Sequence, residues 1–547
     1  MVLRRGLVVV AAMVGLVAPL VATPSSVASP EPAWTSPQDI PGTAGLVNPG
    51  WATAPDGTDL LLWGTAGSGT DNIVHARVRR PGRAGWVDIK NRLRGSYLGI
   101  SSIQPTPDGD FWAAYSVNAG DYRTFLTRLD TSKRRWTKPV ELFTDQPDFY
   151  HSSPQLAMTR DGTLVISAYA SAKAFSSPPV YRIAVGTKPP RGRWKNRFVT
   201  PAGKFSVGMD LAVNVKGDIV VGFIQGYDLA DMTVRASTKS HRPGRTWKTA
   251  TLSAVGDSQR ASVAMTPDGT AIVAWTAPAN GPMTAVRMAT LETGRKLAPW
   301  VGRDVVTGAG QLDVQPYVVA AGNDTAEVLW RQVSGLNVQI YGRYWDGNTL
   351  APAVQLTPGG EDSEMDALVR RPDGTVLVVY QRFTLGLVSL GLEARVLDAG
   401  TASAPVTLTG DFATSGDSNS EQVGVDAAGR GTLIFTHGTY PDTTFQLQTQ
   451  ATGPALMSGW VNGAPVRRTA VEGVAHVGRT VSCRTGFWVE KRRVTFAWTR
   501  DGKAIRGAGR HDYRIVPADK GHALACVATA AGGAADLVVP GKPRRVR

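Results

Sequence analysis

Apolar and polar residues alternate in a pattern that recurs along the chain, and its clearest copy is Pro267-Asp-Gly-Thr-Ala-Ile-Val-Ala-Trp275. In this copy an Asp-Gly pair separates two apolar runs, residues 262–265 and 271–275, that are rich in β-forming side chains. Asp-Gly favours the positive φ values of a tight hairpin turn, and apolar runs of this length on both sides are typical of paired strands. The pattern therefore predicts a β-hairpin.

The same turn pattern occurs eight times at nearly constant spacing. The copies are centred on Gly57, Gly109, Gly162, Gly217, Gly269, Asp324, Gly374 and Gly429. A regular repeat of this kind is typical of β-propellers and other arrays, in which each unit buries its faces against its neighbours.

A second pattern lies between the turns and predicts a further strand in each repeat. It is an extended run that ends in an apolar residue and usually starts with tryptophan, and it occurs at Trp34, Trp86, Trp136, Trp194, Trp247 and Trp300, with proline instead at Pro352 and Pro405. Together with the hairpin and the strand that follows it, each repeat then has four antiparallel strands. Four such strands form one blade of a β-propeller.

The phase of the two patterns predicts how the array closes. The run at Trp34 precedes the first hairpin, whereas the last repeat, residues 421–450, lacks a run of this kind. We therefore predict an all-β, eight-bladed propeller over residues 31–454, in which residues 34–40 complete the last blade and Trp34 lies beside Phe445.

The segment 1–28 has the features of a secretory signal peptide. Arg4 and Arg5 precede an apolar stretch over residues 7–21, and small residues follow up to Ala28. No later stretch is apolar enough to cross a bilayer, so we expect a secreted, extracellular protein that can associate with the cell wall. The Ala-, Gly- and Arg-rich composition is typical of high-GC bacteria such as actinobacteria.

Residues 462–539 predict a separate C-terminal domain that contains both cysteines. Cys483, Trp498 and Cys526 are spaced as in an immunoglobulin-like sandwich. Two cysteines in one small domain of an exported chain should form a disulfide. The segment resembles the Ig-like modules appended to secreted actinobacterial proteins, although Leu524 stands where the immunoglobulin pattern has tyrosine.

Most of the basic excess lies in this C-terminal part. Residues 455–547 contain 17 Lys and Arg against 6 Asp and Glu, a net charge of +11 out of +15 for the whole chain. Basic clusters attract polyanions, so an anionic cell-wall polymer is a candidate partner, and nucleic acid is not favoured. The candidate polyanion-binding residues, including those of a basic tail at 540–547, are Lys491, Arg492, Arg493, Arg544 and Arg545. The alternative is a solvated arginine-rich face.

The segment Ser240-His-Arg-Pro-Gly-Arg-Thr-Trp247 resembles the Asp-box of sialidase-like (BNR-like) propellers, with Arg242 at the acidic position. In a working sialidase the resemblance implies an arginine triad, a Tyr-Glu nucleophile pair and an Asp acid. The chain has no Arg-Ile-Pro motif, and the triad cannot be assigned by position. We therefore expect no catalysis, with a sialidase-like glycoside hydrolase as the alternative.

A binding site in a propeller is expected where the chain leads into the innermost strand of each blade, around the mouth of the central channel. These segments are polar in six blades, and the candidate ligand-binding residues are Gln155, Gln259, Arg260, Asp313, Glu364, Asp366 and Glu421. The alternative is a channel that is wet and binds nothing. No metal-ligand or cofactor motif is evident, so we expect no metal and no cofactor.

These patterns favour a secreted, non-enzymatic and monomeric binding protein. The propeller would recognise a polar ligand such as a glycan, and the Ig-like domain would act as a spacer or as an anchor to the cell wall. A third hypothesis is a structural protein of the cell surface.

Overall fold

The structure is a computed structural model. It describes residues 33–43, 50–66, 71–81, 83, 85–96, 99–106, 109–118, 122–173, 181–227, 231–242, 244–256, 261–278, 285–293, 298–307, 316–322, 324–384, 389–409, 422–437, 444–450, 459–461, 464–466, 470–484, 493–531, 537–540 and 543–546. The predicted signal peptide lies outside these residues. The regular secondary structure of the described residues is β-strand apart from one short 3-10 turn, and no helix among them is long and apolar enough to span a bilayer.

The first four sheets follow one another along the chain, and consecutive strands pair antiparallel in each. β1 (Gln38–Asp39) precedes them and belongs to the last sheet. Sheet 1 consists of β2 (Gly50–Thr53), β3 (Asp59–Ala66), β4 (Asp71–Arg79) and β5 (Val87–Asp88), with β6 (Leu93–Ser96) also on β4. Sheet 2 consists of β7 (Gly99–Pro105), β8 (Phe111–Asn118), β9 (Tyr122–Asp130) and β10 (Arg135–Trp136), with β11 (Val140–Glu141) also on β9. Sheet 3 consists of β12 (Phe149–Met158), β13 (Leu164–Ala172), β14 (Tyr181–Lys188) and β15 (Lys195–Phe198). Sheet 4 consists of β16 (Phe205–Val213), β17 (Ile219–Gly226), β18 (Thr233–Lys239) and β19 (Lys248–Thr251).

The next four sheets repeat this arrangement. Sheet 5 consists of β20 (Ala261–Met265), β21 (Thr270–Ala277), β22 (Ala285–Glu292) and β23 (Val301–Val306). Sheet 6 consists of β24 (Tyr317–Gly322), β25 (Thr325–Ser334), β26 (Asn337–Trp345) and β27 (Val354–Gln355). Sheet 7 consists of β28 (Asp362–Arg370), β29 (Val376–Phe383), β30 (Ser389–Asp398) and β31 (Thr401–Ala402), with β32 (Val406–Thr407) also on β30. Sheet 8 consists of β33 (Gln422–Val425), β34 (Gly431–His437), β35 (Thr444–Thr449) and β1.

The repeated turns join the first and second strands of these sheets, as the sequence predicted. All seven turn glycines have positive φ, between 78° and 115°, and the eighth position, Asp324, has φ of 53°. A non-glycine residue rarely adopts this left-handed conformation, and Asp is one of the few that tolerates it in turns. The Asp-Gly pattern therefore supplies the residues that adopt the backbone conformation of these turns.

Neighbouring sheets pack face to face through separate hydrophobic clusters. Sheets 5 and 6, for example, share a cluster that includes Val286, Trp330 and Trp345. The last sheet packs in the same way on the first, where Ile434 and Leu447 contact Trp51. We call the first strand of each sheet its inner strand. Each inner strand contacts the inner strand of the next sheet, and β33 contacts β2. Sheets that meet in this way along their inner strands form a β-propeller.

The N-terminal strand completes the last sheet. In the β1–β35 pair, Gln38 lies opposite Leu447 and Asp39 opposite Gln446. Trp34 forms a bridge with Gln450, so its partner in the antiparallel register is Gln450 and not the predicted Phe445. The missing strand of the last repeat is thus supplied by the beginning of the chain.

The C-terminal unit contains two antiparallel sheets joined by a disulfide between Cys483 and Cys526. A short hairpin, β36 (Gly459–Val461) and β37 (Ala464–Val466), precedes them. One sheet consists of β38 (Ala470–Glu472), β39 (Thr480–Arg484) and β42 (Asp512–Arg514). The other consists of β40 (Arg493–Arg500), β41 (Lys503–Ala504), β43 (Ala523–Ala531), β44 (Leu537–Pro540) and β45 (Arg544–Arg545). Trp498 is fully buried against both cysteines, which shows that the disulfide lies in the core of this unit.

A buried carboxylate fixes the turn before the second cysteine. Asp519, at the end of the 3-10 turn Pro517–Asp519, accepts hydrogen bonds from Arg500 Nε at 2.7 Å, Tyr513 Oη at 2.9 Å and the Val516 amide at 2.8 Å. Burial opposes ionisation of Asp519, but these hydrogen bonds outweigh it and lower its pKa. The carboxylate therefore stays ionised and satisfies three donors at one buried point.

A second buried carboxylate, Glu327 on β25, makes the stability of the propeller depend on pH. It is almost fully buried between sheets 6 and 7, where its Oε1 accepts a hydrogen bond from the Gly400 amide at 3.2 Å. Burial raises its pKa to about 7, from an ordinary value of 4.5.

Replacing Glu327 by glutamine should stabilise the protein at pH 8 and have little effect at pH 4.5. Between these values the unfolded chain loses the Glu327 proton while the folded chain keeps it until about pH 7, so the folded state loses about 3 kcal/mol of stability as pH rises. Glutamine keeps a side-chain oxygen that can accept the hydrogen bond from the Gly400 amide, and its side chain does not titrate. Urea unfolding at both pH values measures the difference, with the exposed Glu141→Gln as control. An equal effect of E327Q at both pH values would contradict the expectation.

Candidate functional site

The inner strands define two ends of the propeller. At the turn end, each inner strand passes into its repeated turn. At the mouth end, each inner strand begins, and the second strand of the same sheet ends beside it. The sequence analysis placed the candidate ligand-binding residues at the mouth end.

Several polar residues of the inner strands hold neighbouring sheets together. The Ser102 hydroxyl accepts a hydrogen bond from the Leu156 amide at 3.0 Å, and the Ser262 hydroxyl accepts one from the Val318 amide at 3.2 Å. Asp210 Oδ2 accepts one from the Val263 amide at 2.8 Å. Each bond joins an inner strand to the main chain of the next. These side chains, one or two repeats apart, therefore tie adjacent sheets.

The predicted site residue Gln155 belongs to the same set. It follows a bulge in β12, and its Nε2 donates to the Met209 carbonyl of the next inner strand at 3.1 Å. Its amide is thus occupied in part by a bond between sheets 3 and 4. The structure gives Gln155 a structural contact that the sequence analysis did not anticipate.

Burial changes the ionisation of one of these ties. The carboxyl of Asp210 is enclosed between sheets 4 and 5, and burial raises its pKa to about 6, although the amides of Val263 and Leu211 lower it. A group of this kind holds its neighbours in place and offers little to a ligand.

The predicted residues Glu364 and Asp366 both lie on β28. Glu364 Oε1 is 3.6 Å from Arg331 Nη1 on β25 of the neighbouring sheet. Asp366 is half-buried at the irregularity between Met365 and Ala367. Of the other candidates, Gln259, Arg260, Asp313 and Glu421 lie outside the described residues, so β12 and β28 carry the part of the predicted site that the structure describes.

A group of residues next to Glu364 escaped the sequence analysis. Arg382 on β29 contacts Glu361 on one side, with Nε 2.6 Å from Oε2, and Glu393 on the other. The Tyr380 hydroxyl donates to Glu393 Oε2 at 2.8 Å, and Arg395 Nε donates to the Tyr380 oxygen at 3.2 Å. Tyr380 and Glu393 are direct partners across β29 and β30. The alternation in Tyr380-Gln-Arg and Glu393-Ala-Arg could have indicated one shared face once the strand register was known.

The Tyr380–Glu393 pair is too buried to act on a substrate. Tyr380 is 0 % exposed, and burial raises the pKa of its hydroxyl. A nucleophile must approach the reacting carbon within about 3–3.5 Å, which a fully enclosed phenol cannot do. This pair therefore does not provide the accessible Tyr-Glu nucleophile that the sialidase resemblance implies.

The accessible charges form what we call the mouth cluster, namely Arg331, Glu361, Glu364 and Arg382. Their side chains are 24 %, 28 %, 43 % and 23 % exposed, respectively. Glu361 directly precedes β28 and Glu364 is its third residue, and Glu364 pairs with Gln381, next to Arg382. Two guanidinium groups and two carboxylates thus face partly into solvent between sheets 6 and 7. Such a set offers both donors and acceptors to hydroxyl and carboxylate groups.

Two tyrosines are exposed at the same end. Tyr227 follows β17 and Tyr122 begins β9, and they are 62 % and 47 % exposed. Lys204 Nζ lies 4.4 Å from the ring centre of Tyr227. Exposed aromatic faces suit stacking against a ring with apolar C–H surfaces.

The channel contains a cavity that the sequence analysis did not predict. Its volume is about 330 Å³, and it lies among six inner strands. The lining residues are Gln104, Leu156, Ala157, Leu211, Ala212, Val213, Ala264, Met265, Val318, Val319, Ala320 and Arg370. This wall is mostly apolar, unlike the wet channel considered from sequence.

The described part of the C-terminal unit constrains the basic residues. Arg544 Nη1 donates to the Gly473 carbonyl at 2.7 Å, and Arg545 Nε donates to the Gly521 carbonyl at 3.2 Å. Both belong to β45, and the next residue, Val546, is buried in the core, so the unit extends past the predicted boundary at residue 539. Arg493 lies on β40, whereas Lys491 and Arg492 are outside the described residues.

No group of three or more His, Cys, Asp or Glu in the described part of the chain is arranged to hold a metal ion. The loop that resembles the Asp-box joins β18 to β19, as predicted. Its His241 donates through its main-chain amide to Asp218 Oδ1 at 2.8 Å, and His241 Nδ1 is also 2.8 Å from that oxygen. The loop is thus fixed to the adjacent turn by a carboxylate from outside the motif.

No protein-family model matches the chain, and comparison with curated proteins gives no match. Among solved structures, the β-propeller domain of the trilobed protease from Pyrococcus furiosus is 12 % identical with a TM-score of 0.38, covering 67 % of this chain and 98 % of that one. A polysaccharide lyase described as an ulvan lyase is 15 % identical with a TM-score of 0.38, covering 64 % and 93 %. The NanB sialidase from Streptococcus pneumoniae is 8 % identical with a TM-score of 0.32, covering 77 % and 93 %.

Proposed function

We propose that this is a secreted, non-enzymatic binding protein whose propeller recognises a polar ligand, such as a glycan, at its mouth end. The observation that carries the proposal is the mouth cluster, which gathers partly exposed guanidinium groups and carboxylates of two sheets at one place. Glycans present many hydroxyls, and acidic glycans add carboxylates, so a mixed set of donors and acceptors suits them. Tyr122 and Tyr227 add aromatic surface at the same end.

The architecture that we propose for this function is a closed, eight-bladed propeller. The pairing of β1 with β35 and the packing of the last sheet on the first support it. A closed ring keeps the inner strands in register, so the mouth cluster stays fixed without a ligand. A preorganised site loses less entropy when it binds.

Export of the chain is also part of the proposal. The segment 1–28 has the composition of a signal peptide, and a structural disulfide fits an oxidising compartment. We propose that the C-terminal unit is an Ig-like sandwich that serves as a spacer or as an anchor to anionic cell-wall polymer. Arg544 and Arg545 remain exposed while they bond to main-chain carbonyls, which leaves further guanidinium donors for anionic groups.

Binding of the protein to a glycan array tests the proposed function. The double variant Arg331→Ala with Glu364→Ala should weaken binding to the glycans that the native protein selects by roughly ten- to a hundredfold, since hydrogen bonds to charged groups contribute about 1.5–3 kcal/mol each. Both side chains are partly exposed, so the fold should persist.

The matched control is the double variant Arg287→Ala with Asp304→Ala. This pair joins β22 to β23 in sheet 5, with Arg287 Nε 3.0 Å from Asp304 Oδ1, and it lies away from the mouth cluster. It should leave glycan binding unchanged. Equal binding by the native protein and the R331A/E364A variant would exclude the mouth cluster as the site. No selection of any glycan by the native protein would contradict the proposed function itself.

A sialidase-like hydrolase remains the alternative from sequence, but no described feature favours it. A sialidase needs a Tyr-Glu pair that the substrate can reach, and in the Tyr380–Glu393 pair the tyrosine is fully buried. Hydrolysis of a sialoside by the purified protein would overturn the non-enzymatic proposal.

A further inference from the structure

The cavity in the channel is separate from the mouth cluster and plays no part in the proposed function. Its lining comes from β7, β12, β16, β20, β24 and β28, mostly from residues in the middle or at the turn end of each strand. A volume of about 330 Å³ lies within the range of small-molecule sites. The cavity is therefore large enough for an organic ligand.

The wall of the cavity is mostly apolar and contains two polar residues. Ten of the twelve lining residues are apolar, and the exceptions are Gln104 and Arg370. An apolar wall holds water poorly, because a buried water needs several polar partners. A ligand that fills this space must therefore be mostly hydrocarbon.

The two polar residues lie at the same end of the cavity. Arg370 is the last residue of β28, and Gln104 is next to the last residue of β7, so both stand beside the turns. Arg370 is 8 % exposed, and its Nε donates to the Ala321 carbonyl at 3.0 Å. That bond fixes the plane of the guanidinium group. Among the lining residues, Arg370 alone carries a formal charge.

We propose that this cavity binds a straight-chain monocarboxylate, a medium-chain fatty acid, with its carboxylate at Arg370 and its alkyl chain along the apolar wall. A guanidinium group binds a carboxylate in a planar, charge-assisted pair, and beside an apolar wall that pair is stronger than in water. The alkyl chain gains the hydrophobic free energy of burial against Leu156, Leu211 and Val318.

The strand geometry limits the length of the chain. The apolar wall reaches back from Met265 beside the turn to Leu156 and Leu211, each two residues before the end of its strand, and to Val318, four residues before the end of β24. Two to four residues of strand span roughly 7–13 Å. The fatty acid is therefore of medium length, and affinity should stop increasing once the chain reaches the mouth-side limit of this wall.

Isothermal titration calorimetry of the full protein with hexanoate, octanoate, decanoate and dodecanoate tests the proposal. Each added CH₂ should tighten binding by about fourfold until the cavity is full. Decanoate should bind more tightly than decanol or decylamine, because only the carboxylate pairs with Arg370. Affinity that does not depend on chain length, or decylamine that binds as tightly as decanoate, would overturn the proposal.

Two variants locate the site. Ala212→Leu projects extra carbons into the cavity, so it should reduce the longest chain that gains affinity. Arg370→Gln should abolish the preference for decanoate over decanol. If R370Q does not fold, the affinities of the native protein and of A212L for decanoate, decanol and decylamine still show whether the cavity binds a carboxylate. Decanoate binding that is the same in A212L as in the native protein would place the ligand elsewhere and refute the site. Arg287→Gln, on the third strand of sheet 5, is the charge-matched control and should bind decanoate like the native protein.

Discussion

Replacing Ile40 by alanine should lower the free energy of unfolding of the propeller by about 3 kcal/mol. Ile40 directly follows β1, is 2 % exposed and packs with Leu447 of sheet 8 and with Trp51 and Leu61 of sheet 1. Its side chain thus joins the beginning of the chain to both sheets where the last sheet packs on the first. Shortening it removes buried apolar surface and leaves a cavity, and both effects destabilise the folded state. Urea unfolding followed by tryptophan fluorescence measures the loss.

The control for this prediction is the equivalent residue of the first repeat. Ile89 follows β5, is also buried and packs between sheets 1 and 2. If the N-terminal strand is a full member of sheet 8, Ile89→Ala and Ile40→Ala should cost similar amounts. The exposed Val301→Ala should cost less than about 0.5 kcal/mol. A large loss for I89A together with none for I40A would contradict closure by the N-terminal strand.

Removal of the disulfide should destabilise the C-terminal unit by about 4 kcal/mol, because the bond closes a loop of 43 residues and its loss enlarges the unfolded ensemble. For a domain of roughly 90 residues this corresponds to a melting temperature that is about 20 °C lower. The double variant Cys483→Ala with Cys526→Ala, compared with the native protein by differential scanning calorimetry, measures the change. The alanines also remove buried sulfur from beside Trp498, which adds to the loss.

The propeller provides the internal control for this experiment, since both cysteines of the chain lie in the C-terminal unit. The propeller transition should keep its midpoint in the alanine variant and in reduced native protein. Equal shifts of both transitions would show that the two parts unfold together, contrary to the expectation.

Local chemistry explains why most of the fold could be predicted. The Asp-Gly turns require a residue with positive φ. The structure gives this conformation to the turn residue of every copy, from Gly57 in the first to Gly429 in the last. The offset of Trp34 from the first turn predicted a strand that belongs to the end of the chain, and Gln38 pairs with Leu447. Repetition amplifies weak local preferences, because one pattern is supported by eight copies.

The candidate site depended on contacts between repeats, which a linear pattern does not contain. Gln155 was predicted to meet a ligand, yet its amide donates to the Met209 carbonyl of the next sheet. Glu364 was found because it belongs to a polar segment that was predicted to lead into an inner strand, whereas its partner Arg331 lies in the preceding repeat, on another sheet. Arg382 and Glu393 could be joined only by the register of β29 and β30.

The pairing of β1 with β35 also determines where the propeller can be tethered. β35 runs toward the turn end, where Gln450 meets both Gly431 and Trp34. The chain therefore enters and leaves the propeller at the turn end, opposite the mouth cluster. A surface attached through either end of the propeller chain therefore lies on the side of the turn end. A propeller held in this way directs its mouth end away from that surface.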